Sequence, residues 1–207
     1  MGNRKEIHDR VLNAANKDEL QEAYSEWADA YDHDLINEMG YVAPTITVNE
    51  FQRHLHDNQV AILDAGCGTG LVGALLSKKG YQNIDGLDYS PKMLKKAEEK
   101  QVYRTLTQAD LTSTLNIPDN QYDAVISVGT FTCAHVGPIA FNELLRVTKP
   151  GGYICFTVRD TAWEEDQYHL KMNVLEKEGR WNRIKADTAN YLKEEGSQCK
   201  ICVYQVT

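Results

Sequence analysis

Leu63-Asp64-Ala65-Gly66-Cys67-Gly68-Thr69-Gly70 is the stretch on which the reading of this chain turns. It follows a short apolar run, Val60-Ala61-Ile62-Leu63, that reads as a buried strand. It precedes Leu71, Val72, Leu75 and Leu76, whose spacing predicts a helix ended by Gly80. A glycine-rich turn between strand and helix lets the backbone approach a ligand closely and aims helix N-terminal amides at it. The glycines fall as G-x-G-x-G, whereas the dinucleotide fingerprint is G-x-G-x-x-G, and Leu71 stands where that third glycine would be.

Outward from this turn the chain alternates strand and helix. Ile84-Asp85-Gly86-Leu87 reads as a second strand, and Ser90-Pro91 as a helix start that continues through Met93, Leu94 and Ala97. A third strand lies near Val102 to Gln108 and a fourth runs from Tyr122 to Val128. A helix from about Pro138 to Val147 follows, and Pro150-Gly151-Gly152 delivers a fifth strand, Tyr153 to Val158. This rhythm predicts an α/β fold, a parallel sheet with helices on both faces. Beyond it come a helix, about Asp166 to Lys177, and two less helical runs, Ile184 to Leu192 and Cys199 to Val206. Upstream, Tyr24, Trp27, Ala28, Tyr31 and Leu35 predict one helix that Gly40 can close, and a second follows Pro44.

Three carboxylates punctuate the pattern. Asp64 opens the glycine turn. Asp88 ends the second strand, 22 residues after Gly66, where a carboxylate can accept both hydrogen bonds of a ribose diol. Asp110, in Gln108-Ala109-Asp110-Leu111, follows the third strand, where it can accept from an adenine amino group while backbone amides complete the base edge. Met93 would lie beside that base, although helical methionines are more often core.

Together, Asp64-x-Gly66-x-Gly68-x-Gly70, Asp88, Asp110, Tyr122-Asp123-Ala124-Val125-Ile126-Ser127 and Leu144-Leu145-Arg146-Val147-Thr148-Lys149-Pro150-Gly151-Gly152 resemble the successive motifs of class I S-adenosylmethionine (SAM)-dependent methyltransferases, across roughly residues 58–158. The run Tyr24-x-x-Trp27-Ala28-x-x-Tyr31-Asp32 and the tail from Trp163 more narrowly resemble the methyltransferase-like branch associated with the Williams–Beuren syndrome region. The resemblance implies a Rossmann-like seven-stranded sheet, mostly parallel, with its last strand antiparallel beside the fifth. It implies SAM as cofactor, S-adenosylhomocysteine (SAH) as product, and cofactor contacts at Asp64, Gly66, Cys67, Gly68, Asp88, Tyr89, Met93, Asp110, Leu111 and Val128. Residues 1–56 would form a helical lid over a 57–207 SAM-binding domain, with Tyr24 or Tyr31 reaching the cofactor.

Composition narrows the partners. Residues 1–50 carry four Lys/Arg against eleven Asp/Glu, a net of −7 within a total of −8. An acidic segment facing the site would repel phosphates, which favours a small-molecule or protein acceptor over nucleic acid. The acids of residues 22–38 would also repel one another and leave one narrow apolar face to hold their helix down. No apolar run approaches the ~20 residues of a membrane span. A monomer in the cytoplasm is expected, with the nucleus left open. The five cysteines suggest neither a disulfide scaffold nor a metal site: Cys199 and Cys202 form a C-x-x-C, but in a strand residues three apart face opposite ways.

Methyl transfer from a sulfonium needs mainly positioning and exclusion of water. A hydroxyl or ammonium acceptor would also need a general base. His135, after the fourth strand, is the best-placed candidate, against a plain surface histidine; Tyr31 and His33 are weaker ones. Two other classes fit the chain less well: a nicotinamide-dependent oxidoreductase, and a non-catalytic SAM sensor or scaffold.

Overall fold

The computed structural model describes residues 3–132 and 136–207. Seven strands form one sheet: β1 (Ile62–Ala65), β2 (Ile84–Asp88), β3 (Thr105–Gln108), β4 (Tyr122–Phe131), β5 (Thr148–Arg159), β6 (Trp181–Leu192) and β7 (Ser197–Val206). They lie in the order β3-β2-β1-β4-β5-β7-β6. The first five pair in parallel, and β7 runs antiparallel between β5 and β6. All four residues of β1 are buried, as a strand covered on both faces requires. The chain's direction of winding reverses between β1 and β4, which opens a crevice at the carboxyl ends of the strands.

Nine α-helices are described: α1 (Asn3–Leu12), α2 (Lys17–Trp27), α3 (Tyr31–His33), α4 (Ala43–Gln52), α5 (Leu71–Lys78), α6 (Pro91–Glu99), α7 (Phe141–Val147), α8 (Asp160–Glu165) and α9 (Tyr168–Lys177). One face of the sheet is covered by α4 and α5, where Val48, Phe51, Val72 and Leu76 share a core with Ile7 and Trp27 of the N-terminal helices. The other face holds Phe141, Phe156, Tyr168, Trp181 and Tyr204, with the Trp181 and Tyr204 rings stacked 4.1 Å apart. Cys199 belongs to the first core and Cys202 to the second, so their sulfurs lie on opposite faces of β7.

The helix starts have local causes. Ser90 caps α6, its side chain accepting from the Met93 amide, and Pro91 occupies the first turn. Asn16 caps α2, its side chain accepting from the Glu19 amide at 3.0 Å, while the Glu19 carboxylate accepts from the Ala15 amide at 3.0 Å.

One expected helix is broken. The stripe Tyr24 to Leu35 is not continuous: α2 ends at Trp27, and α3 runs directly into a π-helical turn, Asp34–Glu38. Trp27 is buried, and its indole donates to Asp34 at 2.8 Å, which pins the turned chain. Gly40 closes the segment at φ +65°. Further on, the helix expected over about Asp166 to Lys177 is α9, and a separate short helix, α8, precedes it, divided from it at Gln167 with φ +54°. The N-terminal acids also do more than repel one another. Asp29 pairs with Lys96 at 2.8 Å, Asp32 with Lys100 at 2.7 Å and Glu26 with Arg10 at 2.5 Å.

Candidate cofactor site

The turn after β1 is fixed from both sides. The amides of Gly66 and Cys67 both donate to the Leu87 carbonyl, at 2.8 and 2.9 Å. The Gly68 amide donates to Asp88 Oδ2 and the Ser90 amide to Asp88 Oδ1, each at 2.8 Å. Burial raises the Asp88 carboxyl above its ordinary value, against those amide bonds, which lower it. Gly66 has φ +76°, and a Cβ there would lie 2.2 Å from Thr130 Oγ1, so only glycine fits. Gly68 has φ +54° with nothing within 4 Å of where its Cβ would be. That open space lies in a cavity.

Gly66, Cys67 and Gly68 form one wall of the cavity, followed by Asp88, Tyr89 and Met93 and then by Asp110 and Leu111. Val128, Gly129 and Thr130 line the opposite end, and Lys17, Leu20, Tyr24, Tyr31, Tyr41 and Pro44 cover it. Every residue expected to contact a cofactor therefore meets in one place except Asp64, while His135 lies outside the described residues. Asp64 is fully buried behind the turn and does not line the cavity. Its Oδ2 accepts from the Tyr103 hydroxyl at 2.6 Å, and among the described residues its buried Oδ1 has no hydrogen-bond partner. Burial pushes its carboxyl up to about 7, with the Tyr103 bond acting the other way.

Tyr24 and Tyr31 are desolvated, which raises both phenols above their ordinary range; they are neutral donors at pH 7, and Tyr31 is a poor base. His33 faces solvent beside Asp34. Burial likewise keeps the Cys67 thiol protonated.

Sequence spacing missed Lys17, Leu20, Tyr41, Thr69 and Thr130. Lys17 and Tyr41 come from distant segments with no local pattern. Thr69 donates to Asp32, which ties the N-terminal segment to the glycine turn. The only sequence signal for that contact was the adjacency of Tyr31 and Asp32.

The lining fits an adenosyl ligand: an open glycine cradle, a carboxylate for a diol, and a second carboxylate with an apolar neighbour for a base edge. Comparison with known proteins agrees. The family model for a methyltransferase domain matches residues 63–156. The chain is 34% identical over 180 residues to human methyltransferase-like protein 27, covering 84% of this chain and 73% of the human protein. The chain belongs to the SAM-dependent methyltransferase family. The methyltransferase is also 37% identical over 101 residues to malonyl-[acyl-carrier protein] O-methyltransferase of Erwinia pyrifoliae, covering 48% of this chain but only 37% of that protein. A solved TehB-like SAM-dependent methyltransferase from Corynebacterium glutamicum shares the fold at a TM-score of 0.66 with 20% identity, covering 90% of this chain and 100% of that one. SAM is the cofactor of this family. No helix among the described residues is long and apolar enough to cross a membrane.

Proposed function

We propose that the methyltransferase methylates a small molecule held between the end of β4 and the N-terminal helices. The observation that carries this is the roof: Leu20, Tyr24, Tyr31, Tyr41 and Pro44 lie over the glycine turn and enclose the β4 end of the cavity in aromatic and apolar surface. Such an enclosure suits a compact acceptor better than a polymer strand. The net −7 of residues 1–50 further disfavours a phosphate backbone.

Bound SAM supplies an electrophilic methyl group on a sulfonium. In this reading Asp88 accepts from the ribose hydroxyls with lone pairs left free by the Gly68 and Ser90 amides. Asp110 and Leu111 hold the adenine edge, with Met93 against its face, and the Gly66–Gly68 backbone admits the amino-acid end. Tyr24 and Tyr31 shut water out, with residues 1–56 acting as the lid of a 57–207 body. His135 is the candidate base if the acceptor needs one. In the same reading the working unit is a cytoplasmic monomer.

Labelled SAM incubated with the protein and a cell extract, then fractionated into small molecules, protein and RNA, tests the reading. Protein-dependent label should enter the small-molecule fraction. Label confined to protein or RNA would overturn the acceptor class.

A further inference from the structure

We propose that the acceptor group is a carboxylate, held by Arg159 with the hydroxyls of Tyr41 and Tyr191 and methylated on oxygen; this rests on the small-molecule reading above. Three strand ends meet there. Gly129 lies in β4, Arg159 ends β5, and Tyr191 is next to last in β6. Tyr41 is stitched to them by the Val42 amide donating to the Tyr191 carbonyl at 3.1 Å and the Lys193 amide donating to the Gly40 carbonyl at 3.1 Å.

The two tyrosine rings meet edge-on at 5.0 Å. Their hydroxyls converge on Gly129, where a Cβ would lie 2.5 Å from the Tyr41 oxygen and 3.2 Å from that of Tyr191. A side chain at 129 would fill the place the hydroxyls share. The Arg159 guanidinium lies 5.3 Å from the Tyr191 ring centroid, half-buried, and among the described residues no carboxylate pairs with it. Among the described residues the buried Oδ1 of Asp160, next in the chain, has no hydrogen-bond partner, and no ion pair joins Asp160 to Arg159. Both phenols are desolvated and stay protonated at pH 7. The group is thus a cation beside two neutral hydroxyls that are hydrogen-bonded to each other.

The carboxylates that line the cavity, Asp88 and Asp110, sit instead at the ends of β2 and β3. The described residues lining the β4 end are Tyr41, Pro44, Val128, Gly129, Thr130 and Val136. An alcohol or ammonium acceptor would need a base there. A carboxylate arrives ionised at pH 7 and needs none. Its oxygen forms a bond to the methyl carbon as the sulfur–methyl bond breaks. The products are a methyl ester and SAH, the negative and positive charges cancel, and no proton moves.

The test uses the full chain saturated with SAH, titrated calorimetrically with octanoate and benzoate and with octanamide and benzamide. At least one acid should bind tenfold or more tightly than its amide. Arg159→Gln should abolish that preference while SAH binding stays within twofold. Tyr191→Phe, which keeps the ring beneath the guanidinium, should reduce the preference severalfold. In parallel, methyl label transferred from SAM to the small-molecule pool should be released as methanol by alkali. Equal affinity for acid and amide, no binding of either acid, a preference untouched in both variants, or label only in alkali-stable products overturns the carboxylate assignment. Label in protein or RNA alone fails the small-molecule reading instead, and loss of SAH binding in the parent fails the cofactor site.

Discussion

Lys17 Nζ lies 2.5 Å from Asp110 Oδ2, although 93 residues separate them in the chain. The same ammonium reaches Thr112 Oγ1 at 2.7 Å and stands 6.0 Å from the Tyr89 ring centroid. The first turn of α2 is thereby fastened across the rim of the cavity at the residue proposed to read adenine. Burial opposes ionisation of Asp110, but the bonds from Lys17 and Thr112 outweigh it and hold the carboxyl below its ordinary value.

This contact gives a prediction about the lid. The pair is partly exposed, so removing it with Lys17→Met should cost less than about 1 kcal/mol of global stability. Locally the effect should be larger, because an element held by few contacts opens at low free energy. Amides of residues 17–27 should exchange severalfold faster in the variant. In the parent, SAH should slow exchange across residues 20–40. Equal protection with and without SAH would mean that these helices are permanently docked core.

Asp88 carries the second prediction. Asp88→Ala should remove two charge-assisted bonds to the ribose, each worth about 1.5–3 kcal/mol. SAH affinity should fall at least tenfold, since about 1.4 kcal/mol is one decade. The structure adds that the Gly68 and Ser90 amides lose their acceptor too, so Asp88→Asn, which keeps one acceptor oxygen, should suffer less. Calorimetric affinities in the order Asp, Asn, Ala are expected. An Ala variant that binds like the parent would move the ribose elsewhere.

The two glycines of the turn should fail differently when replaced by alanine. A left-handed alanine costs roughly 1–2 kcal/mol at either position. At Gly66 the new Cβ must also displace Thr130, whose hydroxyl donates to the Ala65 carbonyl at 3.3 Å. Gly66→Ala should therefore be the less stable of the two in thermal unfolding. Gly68→Ala places its methyl in open cavity, so it should lose only the left-handed cost in unfolding yet bind SAH at least tenfold more weakly. Matching melting points, or full SAH affinity in Gly68→Ala, would contradict the cradle.

These residues also show what could be read before the structure. The turn, Asp88 and the cap at Ser90 are local features, set by backbone conformations that only certain residues adopt, and spacing alone located them. The roof was legible only in part. Tyr24 and Tyr31 stood out as a stripe, but nothing near Trp27 announces that its indole turns to Asp34 and ends the helix. The acids of that segment looked unsupported because their partners, Lys96 and Lys100, lie on and just beyond α6. Asp64 was misplaced for a related reason. A motif fixes where its Cα lies, whereas Tyr103, arriving after α6, decides which way the carboxyl turns.

Asp64 also makes stability depend on pH in a direction opposite to that of most acids. Its carboxyl titrates near its ordinary 3.8 in the unfolded chain and is pushed up to about 7 in the folded one by burial. Between those values the folded protein keeps a proton that the unfolded chain has released. Stability from this group is fully present below 3.8, falls as pH rises through the window, and levels off above about 7. Asp64→Asn retains an acceptor for Tyr103 but cannot ionise, so its stability should lack this loss. A tenfold difference in proton affinity between the folded and unfolded chains is worth about 1.4 kcal/mol. Relative to the parent, the Asn variant should therefore gain about 2–3 kcal/mol in urea unfolding between pH 5 and pH 8. All other groups are common to both proteins, so their titration cancels in the difference. Curves that stay parallel across that range would show that Asp64 is ionised in the folded protein throughout, with its buried Oδ1 partnered after all.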